Sequence, residues 1–158
     1  MSEAPTGGER RITEADIARL VEELEVLEST AQALRQDIAM ITASIAELKS
    51  TRTLVKMLAD GQKIEESYTT VGGGVFVKTR IEDYEKVLVN IGANYIAELN
   101  VRDALDHVDR RIRELEDVKS RLELRLADVV RRIENIRQFL AAIYAMMRGG
   151  AEGKAERK

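Results

Sequence analysis

Apolar residues in the first third of the chain recur at alternating steps of three and four positions. The series is unbroken over Ile17, Leu20, Leu24, Leu27, Ala31, Leu34, Ile38, Ile41, Ile45 and Leu48. This spacing places the side chains on one stripe of a helix and is the a/d pattern of a coiled coil. We therefore predict a long coiled-coil helix within residues 12–60.

The last third of the chain repeats the same pattern and predicts a second coiled-coil helix over residues 101–148. Its stripe consists of Val101, Leu105, Val108, Ile112, Leu115, Leu122, Leu126, Val129, Ile133, Ile136, Leu140, Ile143 and Met147. Arg52 and Lys119 occupy positions of the two stripes. We interpret them as polar residues that fix the pairing register, with snorkelling of their long stems as the alternative.

Local signals mark the ends of both helices. Thr13 is followed three residues later by Asp16, and Asn100 is followed three residues later by Asp103, so each pair resembles a capping box. Gly61 and Gly149 stand where glycine caps at the C-terminal ends of the helices are expected. The tails, residues 1–11 and 149–158, are predicted to be disordered.

Residues 61–100 change to a period of two, which is typical of strands. One alternating stretch runs from Val75 to Ile81 and another from Val87 to Ile91. Glycine-containing turns at residues 72–74 and 92–94 predict two β-hairpins between the helices. The predicted fold class is α+β, a long antiparallel two-helix coiled coil with two inserted hairpins.

Such strands cannot be stable alone, because isolated hairpins are marginal in water and their edges are unpaired. We expect strands from several subunits to form a common intersubunit β-barrel. The residues assigned to oligomerisation are Val71, Val75, Phe76, Val77, Ile81, Val87, Leu88, Val89, Ile91, Tyr95 and Ile96.

The amino-acid composition limits the kinds of functional site that this chain can form. The chain has no cysteine, one histidine, 4% aromatic and 34% charged residues, and a net charge of −3. Disulfides, thiolate chemistry and most zinc sites are thereby excluded for this chain alone. The longest apolar run, Phe139 to Met147, is far shorter than the roughly 20 residues of a membrane span. We expect a soluble, cytoplasmic protein that needs no membrane and no cofactor.

Three further patterns could suggest a functional site, but each is better explained by a structural role. The segment VGGGVFVKT resembles a phosphate-binding loop, but Val77 stands where glycine must precede the lysine, and the segment is predicted to be a strand. His107 lies on a helix flank without a partnered cleft. The helix charges are interpreted as solvated faces, since interleaved acids disfavour nucleic acid. We therefore predict no enzymatic activity.

The middle segments VGGGVFVKTRI (71–81) and EKVLVNIGANYIAEL (85–99) resemble the two hairpins of the α-class subunit of prefoldin, a chaperone of archaea and eukaryotes. Thr70 departs from that family, which often has proline late in the first strand. The resemblance implies a hexamer of two α and four β subunits with a double β-barrel and six coiled-coil arms. It also implies that the arms hold unfolded polypeptides and transfer them to a group II chaperonin without ATP.

The apolar run FLAAIYAMM lies at the predicted tip of the arm, where the first helix begins and the second ends. We predict that the tip binds client polypeptides through Ile12, Ile17, Leu20, Leu24, Ile136, Phe139, Leu140, Ile143, Tyr144, Met146 and Met147. The alternative is that these residues pack within the tip or fray. A structural coiled-coil adaptor that binds specific folded partners is the competing function.

Overall fold

The computed structural model describes residues 12–155, with side chains described for residues 12–149. Its elements are α1 (Glu14–Ala59), β1 (Ser67–Gly72), β2 (Val75–Thr79), β3 (Lys86–Gly92), β4 (Tyr95–Asn100) and α2 (Val101–Ala155). The predicted arrangement of two long helices with two antiparallel hairpins between them is confirmed. The intersubunit barrel stays a prediction.

The chain divides into two compact units. The first unit contains the part of α1 before Ile38 and the part of α2 after Arg121, whereas the second contains residues 38–121 with both hairpins. Among the described residues, no helix is long and apolar enough to cross a membrane.

Both helices begin with the expected reciprocal caps. At the start of α1, the Thr13 backbone N–H donates to Asp16 Oδ2 at 3.0 Å, and the Asp16 backbone N–H donates to Thr13 Oγ1 at 3.2 Å. At the start of α2, the Asp103 backbone N–H donates to Asn100 Oδ1 at 2.9 Å, and Asn100 Nδ2 donates to Asp103 Oδ2 at 2.6 Å. Backbone donors that the first turn cannot pair internally are thus satisfied.

The two predicted glycine caps have different outcomes. Gly61 has φ +75° and ends α1 in a Schellman motif, in which its N–H donates to the Leu58 carbonyl and the Gln62 N–H donates to the Met57 carbonyl. Gly149 does not cap α2, which continues to Ala155 instead of ending at residue 148. Gly149, Gly150 and Gly153 all lie within α2; each glycine costs about 1 kcal/mol in a helix interior and does not by itself force an end.

The two hairpins are built alike. In β1–β2, Val71 forms a bulge and the turn residues Gly73 and Gly74 have φ values of 59° and 78°. In β3–β4, the register also shifts between Asn90 and Gly92, and the two turn residues, Ala93 and Asn94, have φ values of 48° and 62°. Two positive φ values in a two-residue loop are typical of the type I′ turn, which matches the twist of the strands.

The core of the second unit joins the hairpins to the helices. Val55 and Leu58 of α1 and Val101 and Ala104 of α2 form its buried centre. Half-buried residues from the strands and loops complete it, namely Ile64, Ile81, Tyr84, Val87, Val89 and Leu99. A second cluster, consisting of Ile45, Val108 and Ile112, lies within the same unit.

Ion pairs accompany the apolar stripe in this unit. Lys49 pairs with Glu116 at 2.7 Å, and Arg52 donates from Nε to Asp109 Oδ1. This hydrogen bond, together with the charge of Asp109, raises the pKa of Arg52. Arg52 therefore contacts a specific acid on the opposite helix, which supports its interpretation as a residue that fixes the pairing register.

In the first unit, the helices pack through the predicted stripe. Buried there are Ala31, Leu34, Ile133, Ile136, Leu140 and Ile143. Glu23 pairs with Arg132 at 2.9 Å, and Glu28 pairs with Arg137 at 2.7 Å. Exposed ion pairs of this kind contribute little to stability, so the apolar stripe holds this unit together.

Candidate functional site

The end of the first unit where α1 begins and α2 finishes carries exposed apolar side chains. We call this surface the open end and define it as Ile12, Phe139, Tyr144, Met146 and Met147. Their exposed fractions are 47%, 48%, 45%, 76% and 56%. Phe139, Tyr144 and Met146 lie between the stripe positions of α2 and face solvent. Met147 was predicted as a stripe residue but is exposed, so the buried part of the stripe ends at Ile143.

The structure separates the predicted tip residues into three groups. The residues of the open end are exposed, whereas Ile17, Leu20 and Leu24 are half-buried. Ile136, Leu140 and Ile143 are buried, with exposed fractions of 4–7%. Their assignment to a binding surface is corrected: they belong to the helix–helix stripe, which would have to open before they could contact another chain.

Charge is absent from one side of the open end. No charged residue occurs from Gln138 to Met147 on α2. An apolar chain that contacts this stretch desolvates no ion within it. The nearest charged residue beyond it is Arg148, which lies four positions after Tyr144. Met and aromatic side chains also adapt to partners of different shape.

A second set of exposed apolar side chains lies on the two hairpins, on both faces of their strands. In β3–β4, Leu88 is 72% exposed, Tyr95 70% and Ile96 67%. In β1–β2, the exposed members are Val71, Val75, Phe76 and Val77, and Ile91 extends the surface in β3. We call these eight residues the hairpin face. Each hairpin forms a separate two-stranded sheet, so its outer edges have no strand partner among residues 12–155.

Three residues assigned to oligomerisation do not belong to the hairpin face. Ile81, Val87 and Val89 are half-buried and pack against the core of their own unit. Alternation along β3 shows that its two faces differ, but both faces carry apolar residues. Burial against Val55 and Val101, which are remote in sequence, selects the face with Val87 and Val89.

The segment that connects the hairpins contains two polar anchors that sequence reasoning missed. The Tyr84 hydroxyl donates to the Ile64 carbonyl at 3.0 Å and accepts from the Ile64 N–H at 3.2 Å. The Asp83 carboxylate accepts from the backbone N–H groups of Glu85 and Lys86 at 2.8 and 3.1 Å. These hydrogen bonds lower the pKa of Asp83. The Asp followed by backbone donors is a recognisable Asx-type signal, whereas the Tyr84 contact spans 20 residues and has none.

Metal-ligating side chains are not clustered in the part of the chain that the structure describes. No group of three or more His, Cys, Asp or Glu side chains there could hold a metal ion. His107 is half-buried on α2, and Asp103 serves as a helix cap.

Two long helices, a pair of hairpins with exposed apolar side chains and an exposed apolar open end define the class of coiled-coil proteins with inserted β-hairpins. The family model described as "Prefoldin subunit" matches residues 27–146. The chain belongs to the prefoldin family, and its relatives identify it as α class. Family membership supports a chaperone-type role as a non-enzymatic component.

The similar proteins cover most of the chain. It is 33% identical to "Prefoldin subunit alpha" of Thermofilum pendens over 118 residues, which are 75% of this chain and 92% of that protein. It is 25% identical to "Prefoldin subunit alpha" of Archaeoglobus fulgidus over 130 residues, 82% and 95% of the two chains. A solved structure, "Cryo-EM structure of filamentous PFD from Methanocaldococcus jannaschii", matches with 26% identity and a TM-score of 0.62, covering 74% of this chain and 97% of that one.

Proposed function

We propose that this chain is a subunit of an ATP-independent chaperone that holds unfolded polypeptides at its open end. The observation that carries the proposal is the exposure of Phe139, Tyr144 and Met146, although Leu140 and Ile143 on the same part of α2 are buried. An apolar surface that a folded subunit leaves in water fits a partner that also exposes apolar side chains. Unfolded polypeptides have that chemistry, whatever their sequence.

The strength expected of one open end is modest. Complete burial of a side chain of this size contributes about 1.5–3 kcal/mol, and a surface contact buries only part of it. One subunit should therefore bind weakly and release readily. Several open ends in one assembly would raise the effective affinity through multivalency. This combination suits a chaperone that holds a client and then transfers it, which the prefoldin resemblance implies is to a group II chaperonin in the cytoplasm.

The hairpin face is proposed to assemble the subunit with other prefoldin chains. Its exposed apolar residues and unpaired strand edges would gain both burial and hydrogen bonds from neighbouring strands. The filamentous assembly named for the Methanocaldococcus jannaschii structure supports assembly as a property of similar chains. For this chain we propose β-class prefoldin subunits as partners, in a hexamer of two α and four β subunits with a shared β-barrel.

The test replaces three residues of the open end with serine, in the variant Phe139→Ser/Tyr144→Ser/Met146→Ser. The assembled protein is added to a chemically denatured model client without nucleotide, and client aggregation is followed by light scattering. We expect the variant to lose most of its protection while its assembled mass stays unchanged. Protection equal to that of the unmodified protein would refute binding at the open end.

A matched control is available in the same unit. Val26 and Leu124 are 61% and 67% exposed but lie outside the open end. The variant Val26→Ser/Leu124→Ser removes two exposed apolar side chains elsewhere in the unit and should keep full protection. Several unrelated clients are compared, since a holdase protects all of them. A protein that ignored every unfolded client and bound one folded partner would instead be an adaptor.

A further inference from the structure

The open end carries two adjacent and highly exposed methionines. Met146 and Met147 are 76% and 56% exposed and are the last two residues of the uncharged segment of α2. The chain has five methionines and no cysteine, so a mild two-electron oxidant finds thioethers and no thiol. Thioether sulfur is oxidised reversibly, which converts a flexible apolar side chain into a polar one.

We propose that Met146 and Met147 form an oxidation site through which peroxide lowers polypeptide binding at the open end. This inference rests on the proposed holdase function and adds regulation to it. The oxidant is hydrogen peroxide, whose O–O bond breaks as one oxygen forms a bond to the methionine sulfur. The sulfur loses two electrons and becomes a sulfoxide, and the second peroxide oxygen leaves as water. A thiol reductant reverses the step by taking the oxygen as water while two thiols form a disulfide.

The location of the two sulfurs determines whether their oxidation affects helix packing or polypeptide binding. Met146 lies off the stripe, and Met147, at a stripe position, is exposed; the buried residues that hold the helices together here are Leu140 and Ile143. A sulfoxide at Met146 or Met147 therefore hydrates an already exposed surface and leaves the helix packing intact. The apolar contact area offered to an unfolded chain falls, because the sulfoxide oxygen is a hydrogen-bond acceptor that must give up water to be covered.

The chain supplies an internal comparison. Met40 and Met57 are 62% and 37% exposed and belong to the other unit. Peroxide can reach them as well, but neither is part of the open end. The variant Met40→Leu/Met57→Leu therefore keeps the proposed site, whereas Met146→Leu/Met147→Leu removes both sulfurs and retains apolar side chains of similar size.

The experiment uses the full chain in its assembly with partner subunits. Hydrogen peroxide is added and then destroyed with catalase before the denatured client is introduced, so the client itself is not oxidised. Peptide mass spectrometry measures the sulfoxide at each methionine, circular dichroism measures helix content, and light scattering measures client aggregation and assembled mass. All variants share the same partner subunits, so any oxidation of those partners affects every sample equally.

We expect oxidation to raise the chaperone concentration needed for half-protection by about tenfold, with helix content and assembled mass unchanged. The Met40→Leu/Met57→Leu variant should show the same loss. The Met146→Leu/Met147→Leu variant should keep its own half-protection concentration unchanged by peroxide, whatever its starting value, and methionine sulfoxide reductase with a thiol should restore the oxidised unmodified protein.

Two results would overturn the proposal. One is full protection by protein whose Met146 and Met147 are completely converted to sulfoxide. The other is an equal peroxide-induced loss in the Met146→Leu/Met147→Leu variant, which would assign the effect to other residues. If the proposed holdase function itself is wrong, the unoxidised protein will give no protection, and this result is distinct from both of the others.

Discussion

Leu88 and Val89 are neighbours on β3 whose replacement should separate folding from assembly. Val89 packs against the core that joins the hairpins to both helices, whereas Leu88 points away from it and is 72% exposed. We expect Val89→Ala to destabilise the subunit itself. Leu88→Ala should leave the subunit as stable as before and weaken only its association with partner chains.

The magnitudes follow from burial. Val→Ala removes two carbon groups, each worth about 0.8 kcal/mol when fully buried. Because Val89 is only half-buried, we expect a loss of about 1 kcal/mol in the free energy of unfolding. An exposed position without special contacts usually changes stability by less than about 0.5 kcal/mol, so Leu88→Ala should fall within that range.

Urea unfolding followed by circular dichroism at 222 nm measures the first quantity. The chain is used at a concentration where light scattering finds it monomeric, so that association does not add to its stability. A loss of 1 kcal/mol should lower the urea midpoint by about 0.5 M. Assembly with β-class subunits is then measured by light scattering for both variants. Equal midpoints for Val89→Ala and the unmodified chain would refute the assigned packing, and undiminished assembly of Leu88→Ala would refute the hairpin face as an interface.

Two further predictions concern single positions in the second unit. Gly61→Ala should lower the urea midpoint by the equivalent of about 1 kcal/mol, because its φ of +75° strains a residue that has a Cβ, although that Cβ would meet no atom within 4 Å. Gly61→Asn should cost less, since asparagine tolerates this conformation better. Equal midpoints for the alanine variant and the unmodified chain would contradict the Schellman cap. Asp83 has a lowered pKa because backbone N–H groups stabilise its charged form, so its contribution is present above the unfolded value of about 3.9 and disappears as the pH falls through the lower folded value. The difference in urea midpoint between the unmodified chain and Asp83→Ala should therefore be largest near neutral pH and narrow below about pH 4, and a pH-independent difference would count against this assignment.

The sequence by itself determined the elements and most of their ends. The three–four spacing predicts both helices, and the change to a period of two predicts both hairpins, because each depends on how often a side chain returns to the same face. The caps at Thr13 and Asn100 and the Schellman glycine at Gly61 were predictable for the same reason: they need only residues a few positions apart. Gly149 failed as a cap because glycine permits a positive φ without requiring one, and its φ in α2 is not positive.

Only the tertiary structure decided which apolar residues are available to another chain. Val87 and Leu88 have similar character, and so do Ile143 and Tyr144, but one member of each pair is covered and the other is exposed. The tip and the hairpins were correctly recognised as apolar, yet Ile136, Leu140, Ile81 and Val89 proved to be packed within the chain. Burial requires a second surface supplied by residues far away in sequence, so periodicity can show that two faces differ without showing which one is covered.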